Sequence, residues 1–328
     1  MKILVIFTGG TIGSSANNRV ISPNEENTRL LLEMYKNEYG ADTQFVTAQP
    51  YYTLSENNTG KTLSQLISFV CNKMNDDYSG IIVTHGTDTL QFSAAALSYA
   101  LGSDCKPVML VSSNFVLTDS RANGLSNFSA AVDFIKGGYG KGVFVPYKNS
   151  DGAVYIHRAS RLLPHSELSD DVFSIKNQYY GSYNGKNFIK NSDYTAGKDE
   201  VKPFGKALLS DFSSELMVIQ PYVGFEYPKI HKNTKAVLIK TYHSGTICTD
   251  CREFFDFAAE LKQKNIPCYI CGAENRDIYE SAKAYKEFGF TILPPSAFIA
   301  QFIKLWLSLE TGIDFSIICN KSLGEDLL

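Results

Sequence analysis

A chain of 328 residues is longer than one typical domain, and its 44% hydrophobic content is enough for sizeable cores, which argues for two α/β domains and against global disorder. With 31 Lys and Arg against 34 Asp and Glu, a net charge of −3 and no basic run, nothing indicates a nucleic-acid surface. No apolar stretch is long enough to span a bilayer, and seven cysteines, an odd number without an export signal, do not read as a disulfide framework.

Met1–Phe7 is short and runs straight into a glycine loop, so it reads as a first β-strand rather than a signal peptide, and the expected location is the cytoplasm. From that strand, Lys2–Phe7, the pattern alternates. Helices are predicted near Thr28–Glu38, Leu63–Met74, Leu90–Leu101 and Ala122–Ile135, and further strands at Thr43–Ala48, Gly80–Thr84, Pro107–Val111 and Val143–Pro146. The strands are apolar runs without clear alternation, as expected when both faces are covered. This order implies an α/β fold with a doubly wound, mostly parallel sheet.

The polar stretch Asn184–Gly205 reads as an interdomain linker. The expected boundaries are 1–190 for a large N-terminal domain carrying the site, 191–212 for the linker, and 213–328 for a smaller α/β domain. In that second unit, strands are expected near Leu216–Gln220, Ala236–Thr241 and Cys268–Ile270, and helices near Arg252–Lys264, Tyr279–Phe288 and Ala297–Leu309.

Two loops carry chemistry. Thr8-Gly9-Gly10-Thr11-Ile12-Gly13 follows the first strand, and Thr84-His85-Gly86-Thr87-Asp88-Thr89 follows the third. In the strand order 2-1-3-4-5 these strands are neighbours where the winding reverses, so Thr11 and Thr87 face one crevice at the carboxyl ends of the strands. Glycine lets backbone approach a ligand, and N–H groups at a helix start can hold a carboxylate or a developing oxyanion. Asp88 is suited to a substrate ammonium. A hydroxyl nucleophile, a second hydroxyl, a carboxylate and N–H donors are parts for acyl transfer. Either loop alone reads more simply as a Thr-Gly turn capping a helix; two such loops at the two switch-point strands favour a site. Neither a dinucleotide nor a nucleoside-triphosphate glycine motif is present in the first loop.

At these residues the chain resembles the L-asparaginase family with a threonine nucleophile, and its length and N-terminus look most like the type I branch. The resemblance runs over essentially the whole chain. It implies that Thr11 attacks a side-chain amide, that Thr87 beside it helps activate the nucleophile or water, and that Asp88 holds the α-amino group. Ser55 is implied to hold the α-carboxylate, with Glu56 adding a second acidic contact, and Gly10 and Gly86 lie among the substrate-binding residues. It further implies hydrolysis of asparagine to aspartate and ammonia, a homodimer or homotetramer, and no cofactor. Two positions depart from the family pattern. In Arg158-Ala159-Ser160-Arg161, Arg161 stands where the family has a lysine, and arginine cannot act as a base. Ile21, with Val20 beside it, stands where the family has a tyrosine near the nucleophile. These departures motivate one alternative, a degenerate homologue that binds an amino acid with little turnover, as a sensor or regulator; a second alternative is the asparaginase-like subunit of a tRNA-dependent amidotransferase. The second is disfavoured by a motif that begins at residue 8.

His85 is expected to stabilise its turn. Cys248-x-x-Cys251 and Cys268-x-x-Cys271 are sixteen residues apart, within the range of a four-cysteine zinc site. Cys268 and Cys271, three apart on a strand, point to opposite faces, which argues against one tetrahedral centre, so no metal is expected.

Overall fold

The computed structural model describes residues 1–17, 20–23, 26–185, 187–273 and 279–328; for 14–17, 20–23 and 26–28 only the backbone is described. In chain order the large unit comprises β1 (Lys2–Phe7), β2 (Ser14–Asn17), β3 (Val20–Pro23), α1 (Glu26–Tyr39), β4 (Gln44–Ala48), α2 (Gly60–Lys73), β5 (Gly80–Thr84) and α3 (Leu90–Leu101). It continues with β6 (Val108–Val111), α4 (Gly124–Gly137), β7 (Val143–Lys148), β8 (Val154–Arg158), β9 (Gly181–Asn184) and β10 (Asn187–Lys190). The remainder is β11 (Leu216–Ile219), β12 (Ala236–Lys240), α5 (Arg252–Gln263), β13 (Cys268–Cys271), α6 (Glu280–Glu287), β14 (Thr291–Ile292), α7 (Phe298–Thr311) and α8 (Phe315–Ile318).

The main sheet has eight strands in the order β10-β9-β8-β7-β6-β5-β1-β4. Its parallel part, β4-β1-β5-β6-β7, is the doubly wound order expected from the sequence, and β1 and β5 are direct neighbours, with Phe7 opposite Thr84. The inner parallel strands feed two cores. On β1, Leu4 and Ile6 point into one core with residues of α2, α3 and α7, while Ile3, Val5 and Phe7 point into the other with residues of α1 and α4. On β6, Val108 and Leu110 divide from Met109 and Val111 in the same way. A strand buried on both faces needs no polar positions, which is why these segments show no alternation. Full burial of each large aliphatic side chain contributes about 1.5–3 kcal/mol.

The structure differs from the sequence expectation beyond β7. There the sheet turns antiparallel through β8, β9 and β10. Asn184, expected to begin a linker, instead ends β9 opposite Asn187, and Gly185, with φ of 61°, starts the turn to β10. The β2–β3 hairpin and the short β14 are likewise additions to the sequence expectation.

The second sheet is parallel, in the order β11-β12-β13-β14. Val237, Ile239, Cys268 and Ile270 face α5 and α6, whereas Leu238, Tyr269 and Cys271 face the core that contains α7. Cys268 and Cys271 thus lie on opposite faces of β13, as the strand period requires. Helix α7 also meets α3, with Phe92 and Phe302 edge to face at 6.0 Å, so the two sheets share a core. The chain end returns to the large unit: Asp326 accepts from Lys304 and from the Tyr99 hydroxyl, both at 2.9 Å. Among the described residues no helix is long and apolar enough to cross a membrane.

Candidate active site

The two threonine loops meet backbone to backbone. Parallel pairing of β1 and β5 delivers them side by side, and the Thr8 hydroxyl donates to the Thr84 carbonyl at 2.6 Å. Gly9 and Gly10 have φ of 108° and 80°, a region that favours glycine. A Cβ on Gly10 would lie 2.3 Å from the Gly86 nitrogen, and one on Gly86 would lie 2.4 Å from Ser55 Oγ. Only glycines allow this approach, and it brings three chain segments to one point. Thr53 fastens the first loop, accepting from Gly10 N at 3.2 Å and donating its own N–H to Thr8 O at 3.0 Å. Thr11 opens a single helical turn, Thr11–Gly13, and is half-buried with no hydrogen-bond partner among the described residues.

Ser55 and Asp88 come together: Ser55 Oγ donates to Asp88 Oδ2 at 3.2 Å. Their adjacency suits an α-amino acid, in which the ammonium and carboxylate share one carbon. Glu56 is exposed one residue further on. Thr89 locks the two loops from behind by donating to the Ser55 carbonyl at 2.9 Å and accepting from Asn58 at 3.0 Å. His85 is buried, with Nδ1 2.8 Å from the Gly86 carbonyl and Nε2 2.8 Å from Ser93 Oγ. A carbonyl only accepts, so Nδ1 carries the proton and Nε2 accepts from the serine. Burial holds its pKa below the usual histidine value. Neutral His85 therefore serves to shape the turn.

A cavity of about 350 Å³ opens beside the second loop. Its walls are Thr87, Asp88, Gln91, Asn114, Tyr147 and the loop residues Pro164, His165, Ser169 and Asp170. Thr87, Asn114 and Tyr147 come from the carboxyl ends of β5, β6 and β7, the expected place for a ligand in such a sheet. Gln91 Oε1, Tyr147 Oη and His165 Nε2 are buried there without a hydrogen-bond partner among the described residues. Burial pushes the Tyr147 hydroxyl up to about 12, so it is a donor at neutral pH. The sequence reading did not single out Gln91, Asn114, Tyr147, His165 or Asp170, because they lie on separate segments with no motif spacing to Thr87. Tyr52 was missed too; its hydroxyl donates to the Gly13 carbonyl, two residues beyond Thr11.

Arg161 is placed differently from the sequence expectation. Its guanidinium donates to the carbonyls of Glu325 at 2.6 Å, Thr195 at 2.9 Å and Leu327 at 2.8 Å, and to Gln178 Oε1 at 3.3 Å. None of its hydrogen bonds goes to Thr87 or Asp88, and it does not line their cavity. The reason is the chain terminus: Arg158, Ser160 and Arg161 all hold residues 324–327, with Ser160 Oγ donating to the Gly324 carbonyl at 2.6 Å. Ile21 pairs with Ala16 across the β2–β3 hairpin, and its side chain lies outside the described residues. Among the described residues no group of three His, Cys, Asp or Glu side chains is placed to hold a metal.

A model of the family "Asparaginase, N-terminal" matches residues 2–193, more than half of the chain. The chain belongs to the asparaginase family. Among its relatives in that family, a glutamyl-tRNA(Gln) amidotransferase subunit from Methanococcus vannielii is 25% identical over 299 residues, covering 83% of this chain and 66% of that protein. The L-asparaginase of Thermococcus kodakarensis is 30% identical over 158 residues, 45% of this chain and 44% of the relative. The chain thus matches just under two thirds of the first relative's length and less than half of the second's. The solved structure of the thermostable L-asparaginase from Thermococcus kodakarensis superposes with a TM-score of 0.81 at 20% identity, covering 100% of this chain and 99% of that one, so the asparaginase fold extends over the C-terminal sheet as well.

Proposed function

We propose that this chain is an amidohydrolase that cleaves the side-chain amide of L-asparagine, or of a close relative, to the carboxylate and ammonia. The observation that carries this reading is the close approach of the two threonine loops at Gly10 and Gly86, with Ser55 and Asp88 hydrogen-bonded at the same point. Asp88 holds the substrate ammonium and Ser55 the α-carboxylate, leaving the side-chain amide to reach the threonines. Thr11 Oγ attacks the amide carbon, N–H donors of the glycine loop stabilise the developing oxyanion, and ammonia leaves. Water then releases the acid and restores Thr11, with Thr87 positioning that water. No cofactor takes part, and the working form is a homodimer or homotetramer in the cytoplasm.

Ammonia release measured across asparagine, glutamine and small amides, with thermal-shift binding alongside, tests the reading. Release from asparagine, and binding of aspartate at least tenfold tighter than of N-acetylaspartate, are expected. Equal affinity for the two ligands contradicts the ammonium contact at Asp88, and binding without release points to an amino-acid sensor. A second reading is favoured by the 25% identity to the methanococcal amidotransferase component: the same site would then work inside a complex, and a stoichiometric partner protein would co-purify from the source cells.

A further inference from the structure

A threonine hydroxyl or a water attacks an acyl carbon poorly unless something accepts its proton. The groups around Thr87 differ in how readily they accept a proton. Arg161 is a cation tied to the chain terminus and cannot accept. The lone pair of His85 is occupied by Ser93. Asp88 accepts from Ser55, and Asp170 from Asn114, whose amide donates at 3.3 Å; both keep open lone pairs, but a carboxylate is in general a weaker base than a neutral imidazole. Among the described residues no lysine lines the cavity. His165 remains: it lines the same wall as Thr87 and Asp88, and its Nε2 is buried and has no partner among the described residues.

We propose that His165 is the general base of this site, accepting through Nε2 the proton of a water held between it and Thr87. The proposal rests on the amidohydrolase reading above. The ring is held in place by what surrounds it. It packs edge to face on Tyr147, with centroids 5.2 Å apart. The loop that bears it is closed by an antiparallel bridge between Leu162 and Ser174 and by the Leu163 N–H donating to the Phe173 carbonyl at 2.9 Å. Asn149 pins the same loop at Val172 through two bonds of 3.0 Å. His165 lines the cavity, and its Nε2 is buried without a partner among the described residues; leaving such a group unsatisfied costs about 1–3 kcal/mol. Gln91 and Tyr147 line the same cavity, and Gln91 Oε1 and Tyr147 Oη are likewise buried without a partner among the described residues.

Charge favours the role. Burial holds His165 below the ordinary histidine pKa, so the ring is neutral and able to accept at neutral pH, while Asp88 and Asp170 act in the opposite sense and stabilise the imidazolium once it forms. Tyr147 is protonated, and the buried His157, whose pKa falls to about 3, is neutral, so neither adds charge. In the deacylation step the water oxygen bonds to the ester carbonyl carbon and its proton moves to His165 Nε2. The bond between that carbon and Thr11 Oγ then breaks, Thr11 Oγ regains a proton, and the carboxylic acid leaves, so that His165 ends neutral.

His165→Gln, assayed for ammonia and by mass spectrometry of acid-quenched protein, tests this. The expected result is a fall in kcat of about 10²–10⁴-fold, KM within threefold, loss of the acid limb of the kcat–pH profile, and an acyl adduct of the substrate accumulating on the chain. His165→Ala should regain part of its kcat with added imidazole, which gives a second reading should the Gln variant fold poorly. A variant with wild-type kcat and pH profile, or one whose kcat falls without adduct and without imidazole rescue, overturns the assignment of His165 while leaving the hydrolase reading intact. Wild-type protein that releases no ammonia from any amide overturns both.

Discussion

Two polar clusters in this chain differ in how their charged groups are paired. Around the chain terminus the charged groups are paired: Lys304 and Asp326 meet at 2.9 Å with no exposure on either side chain, and Arg158 pairs with Glu325, which also accepts from the Tyr194 hydroxyl, although Ser322 Oγ, beside a cavity that Arg161 also lines, has no partner among the described residues. Arg161 commits its donors to three carbonyls and a glutamine. Around Thr87 the residues line a cavity of about 350 Å³, and Gln91, Tyr147 and His165 each hold a buried atom with no partner among the described residues. A buried polar group without a partner is costly, so saturation marks a cluster that holds the fold and unsatisfied groups converging on a cavity mark a place for a ligand. The pattern assigns Arg161 to the first cluster even though its sequence context pointed to the second.

The largest expected effect comes from breaking the saturated cluster. Asp326→Asn leaves the Lys304 ammonium buried without its counter-ion, and removal of one partner from such a pair costs about 3–5 kcal/mol. Urea unfolding should show that loss in the midpoint. A change below about 1 kcal/mol, on the scale of an exposed pair, would contradict the burial of this network.

A smaller effect is expected at Arg161. Arg161→Lys keeps the charge but cannot span the carbonyls of Thr195, Glu325 and Leu327 with one ammonium. The expected loss is about 1–3 kcal/mol of stability, read by the same unfolding experiment, with kcat within threefold of wild type. A large rise in kcat without a stability loss would show that residue 161 acts at Thr87 and would dissolve the contrast between the two clusters.

That contrast also explains what could be read from the sequence. The parallel strands β1, β5, β6 and β7 were legible because burial on both faces writes itself as continuous apolar runs, and the neighbourhood of β1 and β5 followed from strand order. The threonine loops were legible because glycine is required where backbones approach as closely as Gly10 and Gly86 do. The antiparallel edge was not, since β9 and β10 are short and carry polar residues that resemble a linker. Arg161 was misplaced because a spacing motif fixes where a backbone lies, while the direction of a long side chain depends on what else is nearby; here residues 324–327 supply the carbonyls. His165 carried no signal, being joined to Thr87 only through the loop between β8 and β9.

The central claim is that chemistry begins at the loop after β1. Thr11→Val keeps the branched shape and removes the hydroxyl, so it separates nucleophilic attack from binding. Steady-state ammonia release from the best substrate should fall by about 10³-fold or more, the scale of a lost nucleophile, while aspartate still raises the melting temperature of the variant. Ammonia release at the wild-type rate from Thr11→Val would show that the nucleophile lies elsewhere.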